Sequence, residues 1–287
     1  MVGGSRRPRS AADSAGPRDL PTLAPRGVGA ILDTAFDVFR ARGGTCLAFA
    51  VPLWIPAQLL GRRITGELMR AEAFGPLLAV TGLQMTASVV AQSLAVGLVC
   101  RVVYGELQGR DARPGEVLAS VSRRAPALLA MTVAVAVTTA GGVMCCLLPG
   151  LVLSWLFMVA PAALVLEDLG PLQAIARSAQ LMSKSFLRWL GVIATQWVLV
   201  LPLSLIAGVL AQPGANAAIE QRLHWPAGVY GAAAVLLGAL ITGLATAFSA
   251  VVMTVFYLDS RVRHEGFDLE MRFERLRDRR RSAGAAR

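Results

Sequence analysis

Charge is scarce in this sequence. Asp, Glu, Lys and Arg together make up 16% of the 287 residues, against roughly 25% in a soluble domain. Lys184 is the only lysine, and His224 and His264 are the only histidines. Both histidines lie outside the apolar stretches, at opposite expected faces. They offer neither a Ser/His pair at one depth nor a clustered metal-ligand set. The four cysteines, Cys46, Cys100, Cys145 and Cys146, have no metal-ligand spacing, and two adjacent cysteines make a poor disulfide. They read as small apolar side chains. Hydrolase chemistry finds little support, so no catalytic residue, cofactor or metal site is assigned.

What the sequence has in abundance is apolar length. It is 55% hydrophobic, with a mean hydropathy of +0.58, and the charge deficit sits in several separate segments. From Pro226 to Leu258 there is no Asp, Glu, Lys, Arg or His. A hydrocarbon core of roughly 30 Å needs about 20 such residues as a helix. The class is a polytopic membrane protein, all-α, with almost no length left for a soluble domain. A net charge of +10 would suggest nucleic acid in a soluble protein. Here the placement of the basic residues follows membrane topology, so the expected partners are membrane lipids and other membrane proteins, and no nucleic acid.

Residues 1–25 are rich in Arg, Pro, Ser, Ala and Gly and read as a disordered basic tail, without the apolar core of a cleavable signal peptide. The membrane domain covers 26–266, and a charged helix or tail follows over 267–287. Spans are expected near 45–61, 75–100, 125–148, 151–166, 187–211 and 235–258, with Pro149-Gly150 as a tight turn between the third and fourth. The first span carries Pro52 and Pro56, so a re-entrant segment is its rival reading. Charged loops are expected at Arg62–Glu72 and Arg101–Arg124.

Three amphipathic helices each precede a pair of spans. Gly27–Arg42 repeats Val28, Ile31, Leu32, Ala35 and Phe39 at helical spacing. Gly115–Arg124 places Val117, Leu118 and Val121 on one side. The helix opened by Gly170-Pro171 sets Leu172, Ile175, Ala179, Met182 and Phe186 against a polar face of Arg177, Ser178, Gln180, Ser183 and Lys184. The three align loosely as an internal repeat. Six spans put both termini on one side, and that side holds 24 of the 28 basic residues. The positive-inside rule makes it the cytoplasm, with the three helices at the cytoplasmic interface.

Two groups of residues are candidate sites. Gln84, Ser88 and Gln92 lie four apart on one face of the second span, as interhelical hydrogen-bonding groups or as a polar pathway. Asp259, Arg261, Arg263, Glu265, Gly266 and Asp268, together with Arg177, form a charged motif. It reads either as the point where the last helix leaves the membrane or as a dock for a partner or lipid phosphate. Gly266 would permit a turn and Asp268 would cap a following helix. Ala239, Gly243 and Ala247, also four apart, read as a close-packing stripe, with homodimerisation as the alternative.

Leu148-Pro149-Gly150-Leu151, the run Ala160-Pro161-Ala162-Ala163-Leu164-Val165-Leu166-Glu167, then Gly170-Pro171-Leu172-Gln173-Ala174-Ile175-Ala176-Arg177-Ser178, and the closing block from Tyr257 to Leu269 carry a resemblance. The chain resembles the bacterial six-span family named after the membrane domain of glycerophosphoryl diester phosphodiesterase, and related uncharacterised inner-membrane proteins. The resemblance implies a six-span bundle in the bacterial inner membrane. Some relatives fuse this domain to a phosphodiesterase barrel, for which this chain has no room, so the resemblance implies no catalysis here. The family helix often carries a Trp and a second Arg after the Arg-Ser pair, where this chain has Gln180, Leu181 and Met182. The expected function is a non-enzymatic scaffold or accessory subunit in envelope homeostasis, with passage of a lipid or small neutral solute as the alternative.

Overall fold

The computed structural model describes residues 27–70, 74–108, 113–211 and 227–265. The expected tail at 1–25, the segment 267–287, Gly266 and Asp268 lie outside them. The described residues form eight helices and no strand: α1 (Val28–Arg70), α2 (Phe74–Leu107), α3 (Pro114–Cys145), α4 (Leu147–Phe157), α5 (Ala160–Leu166), α6 (Pro171–Met182), α7 (Phe186–Ala211) and α8 (Ala227–Glu265). Six stretches are long and apolar enough to cross a membrane, α4 and α5 together making the fourth. The chain is a polytopic helical bundle, the solution in which each span satisfies its own backbone hydrogen bonds.

Two of the three amphipathic stretches are not separate helices. The first runs without a break into the first span, so α1 is 43 residues long, about 65 Å at 1.5 Å per residue. The reason is legible in its buried face. Ile31, Ala35 and Val38 continue in register into Cys46, Ala50 and Ala57, all at most 7% exposed. One stripe serves both segments, and nothing between them stops the helix. Pro52 and Pro56 lie inside α1 without ending it, so the chain does not reverse there as a re-entrant segment would. The charged loop expected after Gly61 is helical as far as Arg70. In the same way Val117 and Val121 share a buried stripe with Leu128 and Met131 along α3, which joins the second amphipathic piece to the third span.

The turn between the third and fourth spans also differs from expectation. The helix is interrupted at Cys146, whose backbone is extended, and Pro149-Gly150 lies in the first turns of α4. Proline is tolerated there because first-turn N–H groups have no helical acceptor. Gly150 is needed for packing: a Cβ on it would meet the Val143 backbone nitrogen at 2.7 Å.

The fourth span is itself broken. α4 ends at Phe157 and α5 begins at Ala160, with Pro161 at its start. α6 is the one amphipathic stretch that stands as its own helix, opened by Pro171, with the Gln173 side chain accepting the Gly170 N–H at 3.1 Å. Its buried face is Ala174, Ser178, Leu181 and Met182, while Leu172 is 79% exposed. The face expected from the apolar residues alone is therefore rotated. Ser178 turns inward because its hydroxyl donates to the Leu156 carbonyl at 2.6 Å, next to the break in the fourth span.

α1 packs about equally on α2 and on α8, and it runs antiparallel to α8. Gly243 is the point of closest approach, where a Cβ would lie 2.9 Å from Val51 Cγ2 and 3.1 Å from its Cα. Ala239 and Ala247, fully buried, complete the small-residue stripe, which faces the interior of the bundle. Near the far end of this pair, Phe36 and Phe39 meet Phe248 at ring separations of 5.0 and 5.8 Å. α2 and α7 flank α1 and α8. The α3–α4 hairpin packs mainly on α2, α5 and α6, and its outer faces carry exposed Val133, Val137, Leu147 and Leu151.

Candidate functional site

The two candidate groups occupy different places. The charged motif belongs to an ion-pair network at the end of the bundle where α1 starts and α8 finishes. Glu167, just past α5, is its main acceptor. Arg177 of α6 binds it with two nitrogens, Nε to Oε2 at 3.0 Å and Nη2 to Oε1 at 3.3 Å. Arg261 Nε lies 3.4 Å from Oε1, and the Tyr257 hydroxyl donates to the same oxygen. Asp259, whose side chain is 4% exposed, pairs with Arg188 of α7 and with Arg263 one turn along α8. Asp168 holds Arg101 and Arg124 at 3.3 and 3.0 Å from a left-handed backbone, φ 57°, a conformation Asp adopts more readily than most residues. Arg42 and Glu106 tie α1 to α2 at 2.6 Å. Arg177, Asp259, Arg261 and Arg263 are thus engaged within the chain. Glu265 ends α8.

The polar stripe on α2 divides. Gln84 faces α1, where a Cβ on Gly61 would touch its amide at 3.0 Å. Ser88 bonds back to the Gln84 carbonyl at 2.9 Å. Gln92 reaches a different place, accepting from Thr246 of α8 at 3.1 Å on the wall of a cavity of about 430 Å³ between α1, α2, α7 and α8. Gln58 of α1, which also lines it, donates to Thr242 at 3.4 Å. Thr246 is near the middle of the expected 235–258 span, so the cavity lies near the mid-depth of the bundle, open on the side of Ser204 and Gly208. Among the described residues no charged side chain lines it. A second cavity of about 300 Å³ adjoins along α7, sharing Val200, Ser204 and Ser249 and lined further by Ile193, Gln196, Trp197 and Leu201.

Sequence reasoning found Gln92 but missed Gln58, Gln196, Thr242, Thr246 and Ser249 as parts of one site. The available signal was their scarcity: Gln58 and Gln196 are isolated amides in otherwise apolar spans, where a polar group needs a partner. Among the described residues no group of three or more His, Cys, Asp or Glu is placed to hold a metal ion. Comparison with protein-family models, with curated proteins and with solved structures finds no match for this chain.

Proposed function

We propose that this is a non-enzymatic integral membrane protein that takes a lipid or a small neutral solute into its bundle. The uncharged, polar-lined cavity between α1, α2, α7 and α8 carries the reading. Its size falls in the roughly 300–1,000 Å³ range of ligand sites, and its walls present amide and hydroxyl groups without a formal charge. The test is thiol access. In a chain with its four cysteines replaced, single cysteines at the positions of Ser204, Gln92 and Ala239 are treated with a small neutral maleimide. Modification at positions 204 and 92, with position 239 protected, is the expected result. Protection of all three would reduce the cavity to a packing gap.

The same proposal places the protein in a bacterial inner membrane, as the resemblance to the glycerophosphoryl diester phosphodiesterase membrane-domain family suggests, with the basic end in the cytoplasm. A scaffold or accessory role in envelope homeostasis is the second reading. It is favoured by the open apolar flank of the α3–α4 hairpin. In-cell crosslinking with mass spectrometry should recover a reproducible partner on that hairpin, and an empty result at native expression would count against it.

A further inference from the structure

The two cavities differ in kind, and they touch. The larger presents Gln58, Gln92 and Thr242 and reaches Trp54. The indole Nε1–H of Trp54 is buried and has no acceptor among the described residues. The smaller is walled mostly by Ile193, Trp197, Val200 and Leu201. Trp197 is 60% exposed and Leu201 43%, so this slot reaches the outer face of α7. One polar side chain stands out in it. Gln196 is 7% exposed and lines the slot with its amide. A buried indole N–H left unpaired, as at Trp54, costs free energy unless something fills its bond.

We infer that the joined cavities bind an uncharged acylglycerol lipid: its hydroxyl head in the larger chamber, its ester oxygens at Gln196 and Ser249, and an acyl chain along Trp197 and Leu201. This rests on the proposed function and narrows it. The head carries no formal charge because none of the described lining residues could compensate one, and an unpaired ion inside a bundle is strongly disfavoured. The head offers acceptor oxygens because the indole can only donate and the amide brings two further N–H groups. An apolar chain is required because a small solute would leave the slot empty, and because the slot opens where lipid lies against α7.

The test uses the full chain in phosphatidylcholine nanodiscs. The probe is a monoacylglycerol with a diazirine in its acyl chain, and phosphatidylglycerol bearing the same chain is the comparator. Irradiation should place the monoacylglycerol on residues 193–201, with much weaker labelling by phosphatidylglycerol. Gln196→Leu should lower the labelling about tenfold, the worth of roughly one well-made hydrogen bond, and Val200→Trp, which plugs the junction, should abolish it. Size-exclusion profile and melting temperature report whether each variant folds, and Ser249→Ala takes the place of either that does not. Equal labelling by both lipids, or labelling insensitive to all three substitutions, would overturn the inference. If the maleimide modifies the Ser204→Cys variant while monoacylglycerol fails to label, the acylglycerol assignment falls and the neutral-solute reading stands. If neither reagent reaches the cavity, both fall together.

Discussion

Glu167 gathers groups that lie far apart in the chain: Arg177 ten residues on and Tyr257 ninety residues on, with Arg261 beside them. Removing one partner of a partly buried ionic cluster costs more than the cluster contributes, because the remaining charges keep their desolvation penalty. Glu167→Ala should therefore destabilise the detergent-solubilised protein by about 3 kcal/mol, read as a fall in melting temperature. Glu167→Gln should lose less, since its amide oxygen still accepts from Tyr257. Ser178→Ala should cost about 1 kcal/mol through the lost bond to the Leu156 carbonyl, and Ser178→Thr should restore part of it. The sequence motif joining Arg177 and Ser178 shows why such roles are hard to read in advance. Both residues read as members of a polar face, yet one reaches across to Glu167 and the other inward to the Leu156 carbonyl beside the break in the fourth span.

Among the elements, what could be read followed the period of the apolar pattern. The six spans were visible because a hydrocarbon core imposes length and excludes charge. The joins between elements were less visible, since a helix ends where capping and packing end it and charge alone does not. α1 and α3 pass through Arg40–Arg42 and Arg123–Arg124 because their buried stripes continue on both sides. The Pro149-Gly150 pair, which suggested a turn, instead sits inside α4 and lets it approach α3. Gly150→Ala would drive a methyl group into the Val143 backbone, which cannot move aside as a side chain would. It should destabilise by about 1–3 kcal/mol, and Val143→Ala should not rescue it. The cavity was the least legible feature, because its walls come from four helices and no one segment carries its pattern.

At the scale of the whole molecule, α1 lies between α2 and α8 and packs closely on both. Antiparallel packing brings the start of α1 and the end of α8 to one end of the bundle, where the ion pairs of Glu167, Asp168 and Asp259 also lie. A green fluorescent protein fused after Arg287 should fluoresce, and alkaline phosphatase at the same point should be inactive. The opposite pattern would reverse the orientation given by the arginine distribution.

The contact between Gln58 and Thr242 spans 184 positions, and this has a consequence for biogenesis. A ribosome delivers α1 into the bilayer long before α8 exists. Until α8 follows, the groove around Val51 stays unfilled and Gln58 waits in oil without Thr242. Long-range closure of this kind slows assembly and exposes half-made chains to quality control. A version stopped at residue 226 should insert and then be cleared by membrane proteases, and supplying residues 227–287 as a separate polypeptide in the same cell should prolong its half-life in a pulse-chase.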